Sequence, residues 1–199
     1  MNFIRGLQPR QTSPQRIFGR FCVRKDNRMK TPAQQSDRKP VGRFSIERVE
    51  MIALLRQRGI QDQRLINAMR TVDREQFVQG LFINRAYEDS ALPIGSEQTI
   101  SQPYTVAFMT QALEVSAGDK ILEIGTCSGY QTAILSEMGA RVFTIERHMK
   151  LLVEARKRLE KFGYEVVSKC GDGTIGWKEF APFYGILVTA GAPDAPQPL

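Results

Sequence analysis

The chain has 199 residues, 42% hydrophobic and 25% charged, which suits a single soluble globular domain with a tail. No apolar run approaches the roughly 18 residues of a membrane span, and with His148 the only histidine, a His-based zinc site or a Ser-His-Asp triad does not fit. The net charge of +7 is uneven: residues 1–43 hold 11 Lys and Arg against Asp26 and Asp37, a net of +9, whereas residues 44–199 hold 17 against 19, a net of −2.

Residues 1–43 are rich in Arg, Gln, Ser, Thr and Pro without periodicity, the composition of a disordered tail. An acid-poor arginine arm also reads as a targeting segment or a nucleic-acid clamp, although Phe3, Phe18 and Phe21 do not interleave as a stacking platform would. From Phe44 the pattern is helical, with Phe44, Ile46, Val49, Ile52 and Leu55 on one stripe and Gly59 closing it. Asp62 offers an N-cap to a short helix carrying Leu65, Ile66 and Met69. The stretch from Tyr87 to Gly95 reads as irregular, with turn residues Pro93 and Gly95. Ser101-Gln102-Pro103 opens a helix, the proline suiting its first turn.

From residue 120 the chain alternates: strand 120–124, helix 130–138, strand 141–146, helix 149–162, strand 165–169, loop 170–183 and strand 185–189. Such alternation predicts an α/β doubly wound parallel sheet, with the third, second, first and fourth of these strands side by side. Cys22, Cys127 and Cys170 show no C-x-x-C spacing, so they read as reduced thiols of a cytoplasmic protein, neither disulfides nor a metal site.

The most informative segment is Ile121-Leu-Glu-Ile-Gly-Thr-Cys-Ser-Gly-Tyr130: a strand, a tight glycine turn and a helix start. A dinucleotide fingerprint needs glycines at 125, 127 and 130, and only Gly125 fits. An acidic residue followed by G-x-G-x-G fits Glu123, Gly125 and Gly129 and is broken only at Cys127. That pattern belongs to class I S-adenosylmethionine methyltransferases with a Rossmann-like fold. Glu146, at the end of the next strand, is placed to accept two hydrogen bonds from a ribose diol. The bland alternative is an ordinary strand-helix-strand crossover with a glycine turn and no ligand.

Several segments together resemble one family, the protein-L-isoaspartate O-methyltransferases. They include Tyr87-Glu-Asp89, Ala91-Leu-Pro-Ile-Gly95, Gln98-Thr-Ile-Ser-Gln-Pro-Tyr104, Leu122-Glu-Ile-Gly-Thr126, Thr144-Ile-Glu-Arg147, Gly171-Asp-Gly173 and Val188-Thr-Ala190 with Ala192-Pro193. They occur in order over residues 44–199, and the Gln98–Pro103 segment is the most diagnostic. The resemblance implies methyl transfer from S-adenosyl-L-methionine to the free carboxyl of L-isoaspartyl residues in damaged proteins, with no metal, membrane or specific nucleic acid involved. It implies that Ser101 serves the acceptor carboxylate, that Glu123, Gly125, Thr126 and Gly129 surround the cofactor, that Glu146 takes the ribose and that Asp172 takes the adenine amino group. Simpler roles stand beside these: Ser101 as a helix N-cap, Glu146 as a solvated strand end, Asp172 as a turn residue between glycines. Other readings are a methyltransferase for a small acid or RNA, or an inactive cofactor-binding fragment; the slightly acidic core disfavours RNA.

The sequence departs from the family at Cys127, Glu97 and Tyr184-Gly185, where glycine, glycine and an acid with a small residue are usual. Family members also continue with a helix and three further strands after the Ala192-Pro193 loop. The expectation is therefore an incomplete sheet whose fourth strand, near residues 185–189, is an exposed apolar edge.

Overall fold

The computed structural model describes residues 3–5 and 42–190. In chain order the elements are β1 (Phe3–Arg5), α1 (Ser45–Gln57), α2 (Gln63–Thr71), β2 (Leu92–Gly95), β3 (Gln98–Ile100), α3 (Pro103–Leu113), β4 (Lys120–Ile124), α4 (Tyr130–Glu137), β5 (Arg141–Glu146), α5 (Met149–Lys161), β6 (Val167–Cys170) and β7 (Gly185–Val188). Short 3-10 turns lie at 74–77, 80–85, 173–175 and 178–180.

The main sheet has the order β1-β7-β4-β5-β6. Strands β7, β4, β5 and β6 are parallel, with Ile121 opposite Val142 and Gly185, and Thr144 opposite Ser168. This is the α/β sheet and the strand order that the alternation predicts. Strand β4 is enclosed on both faces, which explains its unbroken Ile-Leu-Glu-Ile run. Glu123 bonds Thr132 of α4, while Leu122 and Ile124, on the opposite face, join Phe143 and Ile145 in an apolar cluster closed by Trp177, Phe180 and Phe183. The larger core lies on the α4 side and gathers Leu55, Leu65, Met69, Leu113, Ile134 and Leu159.

Three expectations are corrected. On α1, Phe44, Ile52 and Leu55 are buried as the stripe predicts, but Ile46 and Val49 are 70% and 54% exposed, because the core-facing side runs through Arg48 and Met51 instead. Arg48 is drawn inward by polar partners, donating to the Tyr87 hydroxyl (3.0 Å), the Arg70 carbonyl (2.9 Å) and Asp73. Within the stretch 87–95, read as irregular, Leu92–Gly95 form β2, which pairs antiparallel with β3 in a hairpin. Last, β7 is not an open edge. Phe3–Arg5, inside the expected tail, pairs with it antiparallel, Ile4 opposite Ile186. Residues 1–2 and 6–41 of the tail, and the Ala192-Pro193 motif, lie outside the described residues.

Candidate functional site

The site forms where β4 gives way to α4. Gly125 (φ +100°) donates to the Ile145 carbonyl at 2.7 Å and accepts from Thr189 Oγ1 at 2.5 Å. A Cβ built on Gly125 would stand 2.7 Å from that Thr189 oxygen, so only glycine allows the chain after β7 to close on the turn. The Thr126 hydroxyl pairs with that of Thr144 at 2.7 Å. Cys127 takes φ +50° and donates its N–H to Glu146 Oε2 at 2.8 Å, while Glu146 Oε1 accepts the His148 N–H at 2.8 Å. Gly129 (φ +88°) precedes α4 and packs on Ala155 and Leu159 of α5.

Across from this turn stands the chain leaving β3. Thr99, Ile100 and Ser101 form one wall of a narrow cleft, Gly125, Thr126 and Cys127 another, with Tyr130, Gln131 and Thr189 completing it. Ser101 is not the N-cap of α3, which is Gln102, and among the described residues nothing engages its hydroxyl. Its carbonyl accepts from Arg74 Nη2 at 2.8 Å. Gln131 donates Nε2 to Thr110 Oγ1 at 2.8 Å, and its buried Oε1 has no partner among the described residues.

Of the seven residues singled out in the sequence, Ser101, Gly125 and Thr126 meet in this cleft and Gly129 sits just behind it. Glu146 is 3% exposed, so it is not a solvated strand end; it ties the glycine turn to the start of α5. Glu123 does not face the cleft. It is fully buried beneath the turn, Oε2 accepting from Thr132 Oγ1 at 2.5 Å and Oε1 unpartnered among the described residues. Burial pushes its carboxyl up to about 7, helped by the charge of Glu146 and opposed by the Thr132 and Thr144 hydroxyls. Asp172 is exposed two residues beyond β6 and caps the 173–175 turn, accepting from Thr174 N–H (2.9 Å) and Oγ1 (2.8 Å), which hold its pKa below the usual value. The thiol of Cys127 is pushed up to about 12 by burial and by Glu146 and Glu123, so it is a neutral thiol at pH 7.

Sequence reading missed Arg74, Gln131 and Thr189. Thr189 lay within a quoted motif without a role, and Gln131 follows the helix start, so spacing gave some signal for both. Arg74 had none: it lies between Asp73 and Glu75 and looks like a surface residue. Among the described residues no helix is long and apolar enough to cross a membrane, and no group of three or more His, Cys, Asp or Glu is arranged to hold a metal.

This cleft, at the carboxyl ends of parallel strands beside a glycine turn, is where open α/β sheets take ligands. A sequence model of the family described as protein-L-isoaspartate(D-aspartate) O-methyltransferase (PCMT) matches residues 46–199. The chain belongs to this family. A protein-L-isoaspartate O-methyltransferase of Salinibacter ruber is 52% identical over 169 residues, covering 85% of this chain and 72% of that protein. A solved protein-L-isoaspartate O-methyltransferase structure superposes with TM-score 0.68 at 29% identity, covering 76% of this chain and half of that one. A Plasmodium falciparum structure in complex with S-adenosyl-L-homocysteine, 24% identical, shares the fold with TM-score 0.62 over 74% of this chain and 75% of that one.

Proposed function

We propose that the chain methylates the free carboxyl of L-isoaspartyl residues in proteins and peptides, with S-adenosyl-L-methionine as donor, in a reducing cytoplasmic setting. The observation that carries this reading is the juxtaposition of Ser101, its hydroxyl unengaged, with the glycine turn of Gly125 and Thr126 in one cleft. One carboxyl group at the turn suits a nearby sulfonium cation: Glu146 lies under the turn and, among the described residues, is in no ion pair. Glu146 accepts two backbone N–H groups, which leaves acceptor positions for a ribose diol. The cleft's volume is about 20 Å³, too little for a nucleoside. The adenosine therefore belongs over the strand ends near Glu146 and Asp172.

When bound, the donor supplies an activated methyl group on positively charged sulfur. The acceptor is already ionised at pH 7, so the chain needs no general base. Ser101 donates one hydrogen bond to a carboxylate oxygen, which fixes its direction without neutralising it. Thr189 and Thr144 hold the turn that forms the opposite wall, so catalysis rests on alignment, an effect worth on the order of 7–11 kcal/mol in ideal cases. The methyl ester then collapses to a succinimide, whose hydrolysis returns part of the material to aspartyl.

The test is donor binding by calorimetry, followed by radiolabel transfer from S-adenosyl-L-methionine to an isoaspartyl peptide and its aspartyl control. Label on the isoaspartyl peptide alone is expected; no label, or equal label, overturns the reading. Ser101→Ala should lower kcat about 10- to 100-fold, the value of one hydrogen bond to a charged group, while donor affinity stays within about threefold. Equal loss of both would move Ser101 out of the acceptor site.

A further inference from the structure

Arg74 is a fully buried cation with no carboxylate within salt-bridge distance among the described residues. Its Nε donates to the Ala86 carbonyl at 2.6 Å and its Nη2 to the Ser101 carbonyl at 2.8 Å, while its Nη1 is buried without a hydrogen-bond partner in bonding geometry among the described residues, beside Tyr130. The guanidinium lies 4.7 Å from the ring centre of Tyr130, a residue of the cleft. The ionisable groups that face it are Tyr130, Tyr87 and Asp89. Both tyrosines are raised above their ordinary range by burial and stay neutral at pH 7. Asp89 is already held by Arg58 and by the Tyr104 N–H at 2.8 Å.

Burying a cation against neutral carbonyls is costly, and two such hydrogen bonds do not offset the lost hydration. Burial accordingly pulls the pKa of Arg74 down, but a guanidinium stays charged across the working pH range. A lysine would reach only one of the two carbonyls; the planar fork reaches both. The charge is thus built in without a carboxylate in salt-bridge contact among the described residues, and one of the two carbonyls it grips is that of Ser101.

We propose that Arg74 is a positioning residue for an anionic acceptor: it sets the Ser101 backbone and supplies the charge that makes the cleft prefer a carboxylate over a neutral group of the same shape. This rests on the function proposed above and adds the source of its charge selectivity. Arg74 acts through Ser101 and the cleft wall and does not touch the acceptor.

The test uses the full chain saturated with S-adenosyl-L-homocysteine and calorimetry with two peptides, one isoaspartyl and one with that free carboxyl converted to a carboxamide. The wild-type chain should prefer the carboxylate by about 30-fold, the order of one charge-assisted contact. Arg74→Met should cut that ratio to about threefold or less, with affinity for S-adenosyl-L-homocysteine unchanged within about threefold. Arg74→Lys should keep the ratio while weakening both peptides about tenfold, since charge survives and the double grip does not. A residue that only ties the 86 and 101 segments together would weaken both peptides alike in Arg74→Met; an unchanged ratio there overturns the proposal. If Arg74→Met does not fold by circular dichroism, Arg74→Lys decides, because loss of its ratio is equally fatal. A wild-type chain that prefers the carboxylate, loses that preference in Arg74→Met and transfers no methyl group overturns the proposed activity and supports the role of Arg74. One that methylates isoaspartyl peptide while Arg74→Met keeps its ratio does the reverse.

Discussion

The carboxyl of Glu123 lies beneath the glycine turn with one oxygen on Thr132 and the other without a partner among the described residues. A buried carboxyl raised from 4.5 to about 7 binds its proton more tightly in the folded chain than in the unfolded one. Between those values the native state holds more protons, so stability falls as pH rises. The contribution is fully present below about pH 4.5 and is lost as pH passes 7, by roughly 3 kcal/mol for this shift. Glu123→Gln, which mimics the protonated form, should remove this part of the slope. Urea midpoints of both proteins at pH 5 and 7.5 check it: the wild type should lose more stability over that interval, and parallel losses would show Glu123 ionised throughout. The acid-then-glycines spacing was readable in the sequence, but not what each residue answers to. Gly125 is required by the approach of Thr189 from 64 residues away, and Glu123 serves the underside of the turn; neither fact is encoded near the motif.

The hairpin of β2 and β3 shows why a segment near the site was misread. Pro93 and Gly95 are turn formers by propensity, yet here they sit within the strand, at a register irregularity of a two-stranded pair. The residues that make the reversal, Ser96 and Glu97, take φ +50° and +57°, a conformation for which Asn-Gly is the usual signal. Glu97 was recognised as standing where glycine is common, and the left-handed backbone supplies the reason. Glu97→Gly should relieve that strain, partly offset by the greater freedom of glycine in the unfolded chain, for a net gain of about 0.5–1 kcal/mol. In calorimetric melts this is a rise of about 1–4 °C; no rise would mean that the hairpin carries no strain at Glu97. The helices were read more faithfully because caps are local. Asp62 accepts from the Arg64 and Leu65 N–H groups, and Pro103 opens α3, as their positions indicate. On α1, periodicity alone could not tell that Arg48 would be pulled inward by Asp73 and Tyr87, displacing Ile46 and Val49 to the surface.

The parallel order of β7, β4, β5 and β6 followed from strands alternating with helices, because few other arrangements bury such strands on both faces. The partner of β7 could not be read this way. Phe3–Arg5 is three residues long, lies some 180 residues from the strand it meets, and sits within arginine-rich sequence without periodicity, so nothing local marks it. Its pairing changes what the basic segment does: the first residues cover a sheet edge that would otherwise present unpaired N–H and C=O groups on an Ile-Leu-Val run. A variant lacking residues 1–6 loses β1 while keeping the cleft, whose walls come from β3, the glycine turn, α4 and Thr189. Size-exclusion chromatography with light scattering should show this variant self-associating with rising concentration more than the full chain, through pairing of exposed β7 edges. Donor affinity measured at low concentration should be unchanged, since the described walls of the cleft come from other elements. Identical elution of the two proteins across the concentration range would show that β1 does not protect the edge.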